Sequence, residues 1–96
     1  MPELRLRPLA RRDLTDIWRY AADRWSEDQA DRYLRTLNET LLSLLEFPER
    51  GRSLESVRAT YRMVRAESHL VIYRPLGQAI EVVRILHMRM DPERHL

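Results

Sequence analysis

The spacing of hydrophobic positions changes along the chain, and each change marks an element. Leu4 and Leu6 alternate with Glu3, Arg5 and Arg7, the period-2 pattern of a short strand. Pro8 ends that strand and suits the first turn of a helix. Leu14, Ile17, Trp18, Ala21 and Trp25 then recur at spacings of three and four, which predicts a helix from about Leu9 to Trp25. Asp13, Asp16, Arg19 and Arg24 lie off that stripe and are expected in solvent. Ser26 reads as the cap of a second helix, with Gln29 at the capping-box position and Glu27 and Asp28 at the positive end of the dipole. Ala30, Tyr33, Leu34, Leu37, Leu41, Leu44 and Leu45 carry the second stripe, and Phe47-Pro48 closes it near Glu46. Asp28 with Arg32, and Asp31 with Arg35, are spaced to pair along it. Two amphipathic helices joined by almost no loop pack as an antiparallel hairpin.

Pro48 to Arg52 reads as a turn and Ser53 to Ala59 as irregular chain. Three β-type runs follow, Tyr61 to Ala66, His69 to Arg74 and Ala79 to His87, separated by breaks of hairpin length. Met88 to Leu96, with Pro92, reads as a tail or a single turn. The expected fold is α+β: an N-terminal strand, an antiparallel helical hairpin, then a three-stranded antiparallel meander, in one domain spanning 1–96. Within the meander Leu70 and Ile72 oppose Val71 and Tyr73, and Ile80, Val82 and Leu86 oppose Val83 and Ile85. Both faces of the sheet are therefore apolar, and one helical hairpin covers only one of them. Either the chain after Pro48 and the C-terminal tail fold across the second face, or a partner protein lies there. The partner is the reading adopted here.

Composition narrows the function classes. With 96 residues, 44% of them hydrophobic and 33% charged, the chain suits one soluble globular domain. No apolar run approaches the roughly 20 residues that cross a bilayer, and the Met1-Pro2-Glu3 start lacks signal-peptide character. Without cysteine there is no thiol nucleophile or zinc-thiolate site, and the expected location is the cytoplasm. All seventeen basic residues are arginine, against fifteen acids. A coding bias explains that choice more simply than a need for guanidinium forks. The lack of lysine excludes Schiff-base and P-loop chemistry.

Candidate chemistry is sparse. His69, His87 and His95 share no metal-ligand spacing, so no metal is expected. His87 ends an apolar strand near Arg84, Arg89 and Asp91, where it would serve as an acid or base in RNA cleavage or simply pack. Arg58, Arg62, Arg65, Arg74 and Arg84, with Tyr61 and Tyr73, suggest phosphate and base contacts, but Glu55, Glu67 and Glu81 interrupt any basic groove. Trp18, Tyr20, Trp25 and Tyr33 read as core aromatics with a polar atom at the rim.

The residues also carry a family resemblance. Pro8, Ala10, Asp13, Leu14, Ile17, Trp18 and Tyr20, followed by Trp25, Gln29, Ala30 and Tyr33, resemble the helical hairpin of ParE toxins. Pro48-Glu49-x-Gly51-Arg52, Tyr61-Arg62, Val71-Ile72-Tyr73-Arg74 and Val83-Arg84-Ile85-Leu86-His87-x-Arg89-x-Asp91 extend it to nearly the whole chain, from Leu4 to Arg94. The resemblance implies the RelE/ParE fold and a toxin of a type II toxin–antitoxin module. It implies neutralisation by a ParD-like ribbon-helix-helix antitoxin, inhibition of DNA gyrase by the free toxin, and operator DNA bound only through the antitoxin. No cofactor and no membrane are implied. The rival is the RelE branch, which cuts messenger RNA on the ribosome with sets resembling lysine, arginine and a late tyrosine, or glutamate, arginine and histidine. This chain has no lysine and no tyrosine after Tyr73. Arg62 or Arg65, Arg84 and His87 would imitate part of the second set, and Glu55 lies in the variable loop. The expectation is therefore a non-enzymatic inhibitor, with an RNA endonuclease and a non-toxic binding domain as alternatives. Val71, Tyr73, Arg74, Val83 and Ile85 are expected to face the antitoxin, and Arg62, Arg84, His87 and Arg89 the target.

Overall fold

A computed structural model describes residues 2–96; Met1, part of the chain start read above, lies outside the described residues. Strand β1 (Glu3–Leu6) leads into helices α1 (Pro8–Arg24) and α2 (Glu27–Glu46). Strands β2 (Arg52–Ser53), β3 (Arg62–Ala66), β4 (His69–Leu76) and β5 (Ala79–His87) follow, and the turn of helix α3 (Pro92–His95) comes last. The five strands form one sheet in the order β1-β5-β4-β3-β2, with β1 parallel to β5 and the remaining pairs antiparallel. The α+β order read from periodicity is present, extended by β2 and α3. Both helix boundaries follow the local chemistry: Pro8 opens α1, and the Ser26 hydroxyl accepts a 3.1 Å hydrogen bond from the Gln29 N–H at the start of α2. Asp31 departs from its expected pairing, accepting instead from the Trp18 indole N–H at 2.9 Å and so tying the two helices together.

The helical hairpin packs on one face of the sheet, where Leu37, Leu41 and Leu44 of α2 meet Val71, Tyr73, Ile80, Val82 and Ile85. The second face holds Ile72, Val83 and Leu86, and the chain covers it itself: Leu54 and Tyr61 are buried against them and Leu96 packs alongside. Tyr61 is held between two guanidiniums, with Arg7 at 5.9 Å and Arg58 at 6.0 Å from its ring centre. Arg7 and Arg74 also converge on one oxygen of Glu81, at 2.7 and 2.8 Å, and hold its carboxyl below the usual carboxylate range. The expectation that a partner covers this face is thus corrected. A loop and tail of the same chain seal it, because Leu54, Tyr61 and Leu96 supply enough apolar surface for the purpose.

The phase of β5 is set by a bulge. Ile72 pairs with Arg84 and Tyr73 with Val82, which leaves Val83 without a residue opposite. Alternation restarts one position late, so Ile80, Val82 and Ile85 face the helices while Val83 and Leu86 face the other way. In β4 the alternating sets are those expected, but Val71 and Tyr73 are the set beneath the helices. Period two separates the faces of a strand without saying which face the helices will take.

Tyr73 shows what the buried set contributes. It is fully buried, and its hydroxyl donates to the Pro48 carbonyl and accepts from the Gly51 N–H, both at 2.8 Å. A Cβ added at Gly51 would stand 2.8 Å from the Met63 carbonyl oxygen and from the Tyr73 ring. Tyr73→Phe leaves the Pro48 and Gly51 backbone groups unpaired and is expected to lower stability by about 1–3 kcal/mol. Gly51→Ala is expected to destabilise by a similar ~1–3 kcal/mol through overpacking. Urea unfolding checks both, and midpoints equal to that of the parent chain would contradict this role for the clasp.

Candidate functional site

The sequence offered two groups of site residues, and the structure separates them. Of the residues expected to face an antitoxin, Val71 and Tyr73 are 0% exposed and Ile85 is 2% exposed beneath the helices. That assignment is corrected: their side chains are core, and none presents a surface to a partner. Val83 lies on the second face but is buried under the covering loop and tail. Arg74 is half-buried on Glu81.

The residues expected to meet the target are also dispersed. Arg62 donates to the Gly51 carbonyl at 2.6 Å and to the Glu49 carbonyl at 3.3 Å, bracing the turn that Tyr73 clasps. It pairs with Tyr73, while His87 pairs with His69 at the other end of β4. Four residues of strand place those two rows about 13 Å apart. Arg84 makes a two-pronged contact with Asp13, Nε to Oδ2 at 2.8 Å and Nη2 to Oδ1 at 2.9 Å. The Asp13 carboxylate also accepts from the Ile85 backbone N–H at 2.9 Å. Asp13 is therefore a clasp between α1 and β5, against the expectation of a solvated residue. It serves the stretch of β5 beyond Val82, the last residue paired with β1. Held in this way, the Arg84 guanidinium is more firmly protonated than usual. Arg89 is exposed beyond β5.

Of the expected set, His87 and the paired Arg84 sit where other polar groups gather. The bulge at Val83 brings it opposite His69, with ring centres 5.4 Å apart. The Tyr33 hydroxyl lies 2.6 Å from His69 Nδ1 and accepts from the Ser68 N–H at 3.0 Å. The phenol proton is then directed at Nδ1, which places the imidazole proton on Nε2. His87 Nδ1 accepts from the Arg89 N–H at 3.2 Å. Burial, reinforced by the neighbouring His87, pushes the His69 pKa down to about 4.

These groups form the floor of a cleft of about 540 Å³ between α1 and the ends of β4 and β5. Asp13, Asp16, Ile17 and Tyr20, spaced along one face of α1, form one wall. Trp25, Tyr33 and Met90 complete it. Tyr20 and Trp25, expected in the core, are 61% and 63% exposed, and their rings meet edge to face at 6.3 Å. Sequence reasoning missed this cleft. Asp16 and Tyr20 fall just off the apolar stripe of α1, and an unbulged hairpin about Gly77-Gln78 would have put His69 opposite Leu86. No group of three or more metal-ligating side chains occurs among the described residues. The arrangement offers hydrogen bonds, aromatic faces and a carboxylate: the equipment of a binding site. No acid–base pair converges with a free arginine here.

The depressed His69 pKa carries a pH dependence with a definite sign. As pH falls, the unfolded chain takes up the proton near 6.5, while the fold resists until about 4. The stability that His69 contributes is therefore complete above 6.5 and is lost progressively between 6.5 and about 4. His69→Gln is expected to flatten the loss of stability in that window, read as urea midpoints across it. An unchanged slope would contradict the burial of a neutral imidazole.

The match to known proteins agrees with this fold. A family profile described as "ParE toxin of type II toxin-antitoxin system, parDE" matches residues 4–92. The chain is 41% identical to "Toxin ParE1" of Caulobacter vibrioides over 96 residues, covering 100% of this chain and 99% of that protein. It is 42% identical over 92 residues to "Toxin ParE1" of Mycobacterium tuberculosis (strain CDC 1551 / Oshkosh), covering 95% of this chain and 94% of that one. Among solved structures, a chain of the "Chromosomal ParDE TA system from P. aeruginosa" superposes with a TM-score of 0.80 at 20% identity, covering 93% of this chain and 98% of that one. With a profile match over nearly its whole length and relatives above 40% identity, the chain belongs to the ParE toxin family of type II toxin–antitoxin systems.

Proposed function

We propose that this toxin arrests growth by binding DNA gyrase without catalysing a reaction, and that a ParD-like ribbon-helix-helix antitoxin neutralises it. Operator DNA is then bound by the complex through the antitoxin. The site of action is the cytoplasm, where gyrase works; no helix among the described residues is long and apolar enough to cross a membrane. Family membership supports the toxin role and the antitoxin partner.

The observation that carries the non-enzymatic reading is the engagement of Arg62 and Arg84. Ribosome-dependent RNA cleavage needs a base for the 2′-hydroxyl, an acid for the leaving oxygen and cations for the phosphate, all at one point. Here Arg62 holds the carbonyls of Glu49 and Gly51, Arg84 is closed on Asp13, and His87 stands beside a second imidazole. Freeing either arginine would open a clasp of the fold. Binding asks for no such rearrangement.

Purified chain is expected to block supercoiling of relaxed plasmid by gyrase in proportion to the ratio of toxin to enzyme. Supercoiling is expected to return on adding the ribbon-helix-helix protein encoded beside it. Normal supercoiling at large toxin excess would overturn the gyrase reading. Inhibition that the neighbouring protein leaves untouched would overturn the antitoxin reading.

A further inference from the structure

The cleft between α1 and the ends of β4 and β5 has features that the fold does not explain. Two of its walls are aromatic side chains left more than half exposed, although large apolar surface is ordinarily buried. Tyr20 and Trp25 stand edge to face, so a group at the mouth meets ring surface from two directions. Met90 adds a polarisable thioether to the rim. Exposed aromatic and methionine surface gathered around a concavity is the usual mark of a docking pocket.

The charges choose the occupant. Asp13 lines the cleft, but Arg84 already neutralises it. Asp16, one turn further along α1, is exposed and has no ion-pair or hydrogen-bond partner among the described residues. Of the other groups beneath, the Arg84 guanidinium is spent on Asp13, and burial keeps His69 neutral until the pH approaches 4. The Tyr20 ring already attracts one guanidinium, that of Arg24, at 6.0 Å from its centre. An unpaired carboxylate and two exposed aromatic rings make an environment for a cation carried on an apolar stem.

We propose that this cleft receives a basic side chain, arginine or lysine, from a partner polypeptide: the charged head lies against Asp16 and its stem along the exposed surfaces of Tyr20 and Trp25. The ring faces attract the cation through their quadrupoles, and the stem buries apolar length that the aromatic walls would otherwise show to water. The Nε2 atoms of His69 and His87 have no partner among the described residues, and as donors they are available to a backbone carbonyl of the same segment. The inference extends beyond the proposed gyrase reading and does not rest on it, because it concerns the chemistry of the contact and holds whichever protein supplies the side chain.

The test is a nuclear magnetic resonance titration of the folded chain with blocked tripeptides, alanine–arginine–alanine against the glutamine and glutamate equivalents. The arginine peptide is expected to shift the Trp25 indole and the His69 and His87 ring signals saturably, and the glutamine peptide to leave them in place. Asp16→Asn and Trp25→Ala, both at exposed positions, are each expected to weaken the arginine peptide by about threefold while leaving the circular dichroism spectrum unchanged. Saturable shifts from the glutamate peptide alone would overturn the proposal and make the cleft a carboxylate site read by the imidazoles. Shifts from no peptide, or arginine binding indifferent to both substitutions, would overturn it as well.

Discussion

One extra residue in β5 governs much of the molecule. Val83 has no counterpart in β4, and from that point the strand runs one position out of phase with a plain hairpin. Four consequences follow. Ile85 turns in beneath the helices while Val83 and Leu86 line the second face. Arg84 meets Asp13 of α1 at the stretch of β5 that β1 no longer accompanies. The Ile85 N–H, which would otherwise lack a strand partner, donates to the same carboxylate. His87 comes opposite His69. The attachment of the helical layer, the cover of the second face and the floor of the cleft all depend on that single insertion.

The pattern of the sequence made the elements legible because local chemistry decides them. Pro8, Ser26 with Gln29, and Pro48 bracket the helices, and the bounds of β5 were read residue for residue. Facing was not legible. Val71, Tyr73 and Ile85 alternate as well as Leu70, Ile72 and Leu86 do, and no local signal distinguishes the set that helices cover from the set that a loop covers. The bulge was not legible either, since Val82-Val83 reads as ordinary strand and its displacement appears only in the pairing with β4. Asp13 falls off the apolar stripe, a position that points to solvent; its partners lie some seventy residues away in sequence. The cleft was invisible for the same reason, being assembled from α1, α2, β4, β5 and the chain beyond them.

The residues that carried the family resemblance turn out to be largely those that hold the fold closed. Asp13 grips Arg84 and Ile85, Tyr73 grips Pro48 and Gly51, and Arg62 braces the same turn. A resemblance built on such clasps reports how the chain is put together and leaves open which surface meets a target. It also explains why Arg62 and Arg84, which look like nuclease residues in sequence, are engaged in three dimensions. A guanidinium closed on a carboxylate, or on two backbone carbonyls, is part of the scaffold. The exposed aromatic rings of the cleft, Tyr20 and Trp25, contribute little to the core and much to the surface.

The claim that this toxin binds its target and cleaves nothing is tested most directly by mapping messenger RNA ends in cells expressing the chain and its His87→Ala variant. Action by binding predicts arrested cells whose transcript ends match those of uninduced cells, for the parent and the variant alike. New ends within translated codons that vanish with His87→Ala would contradict it.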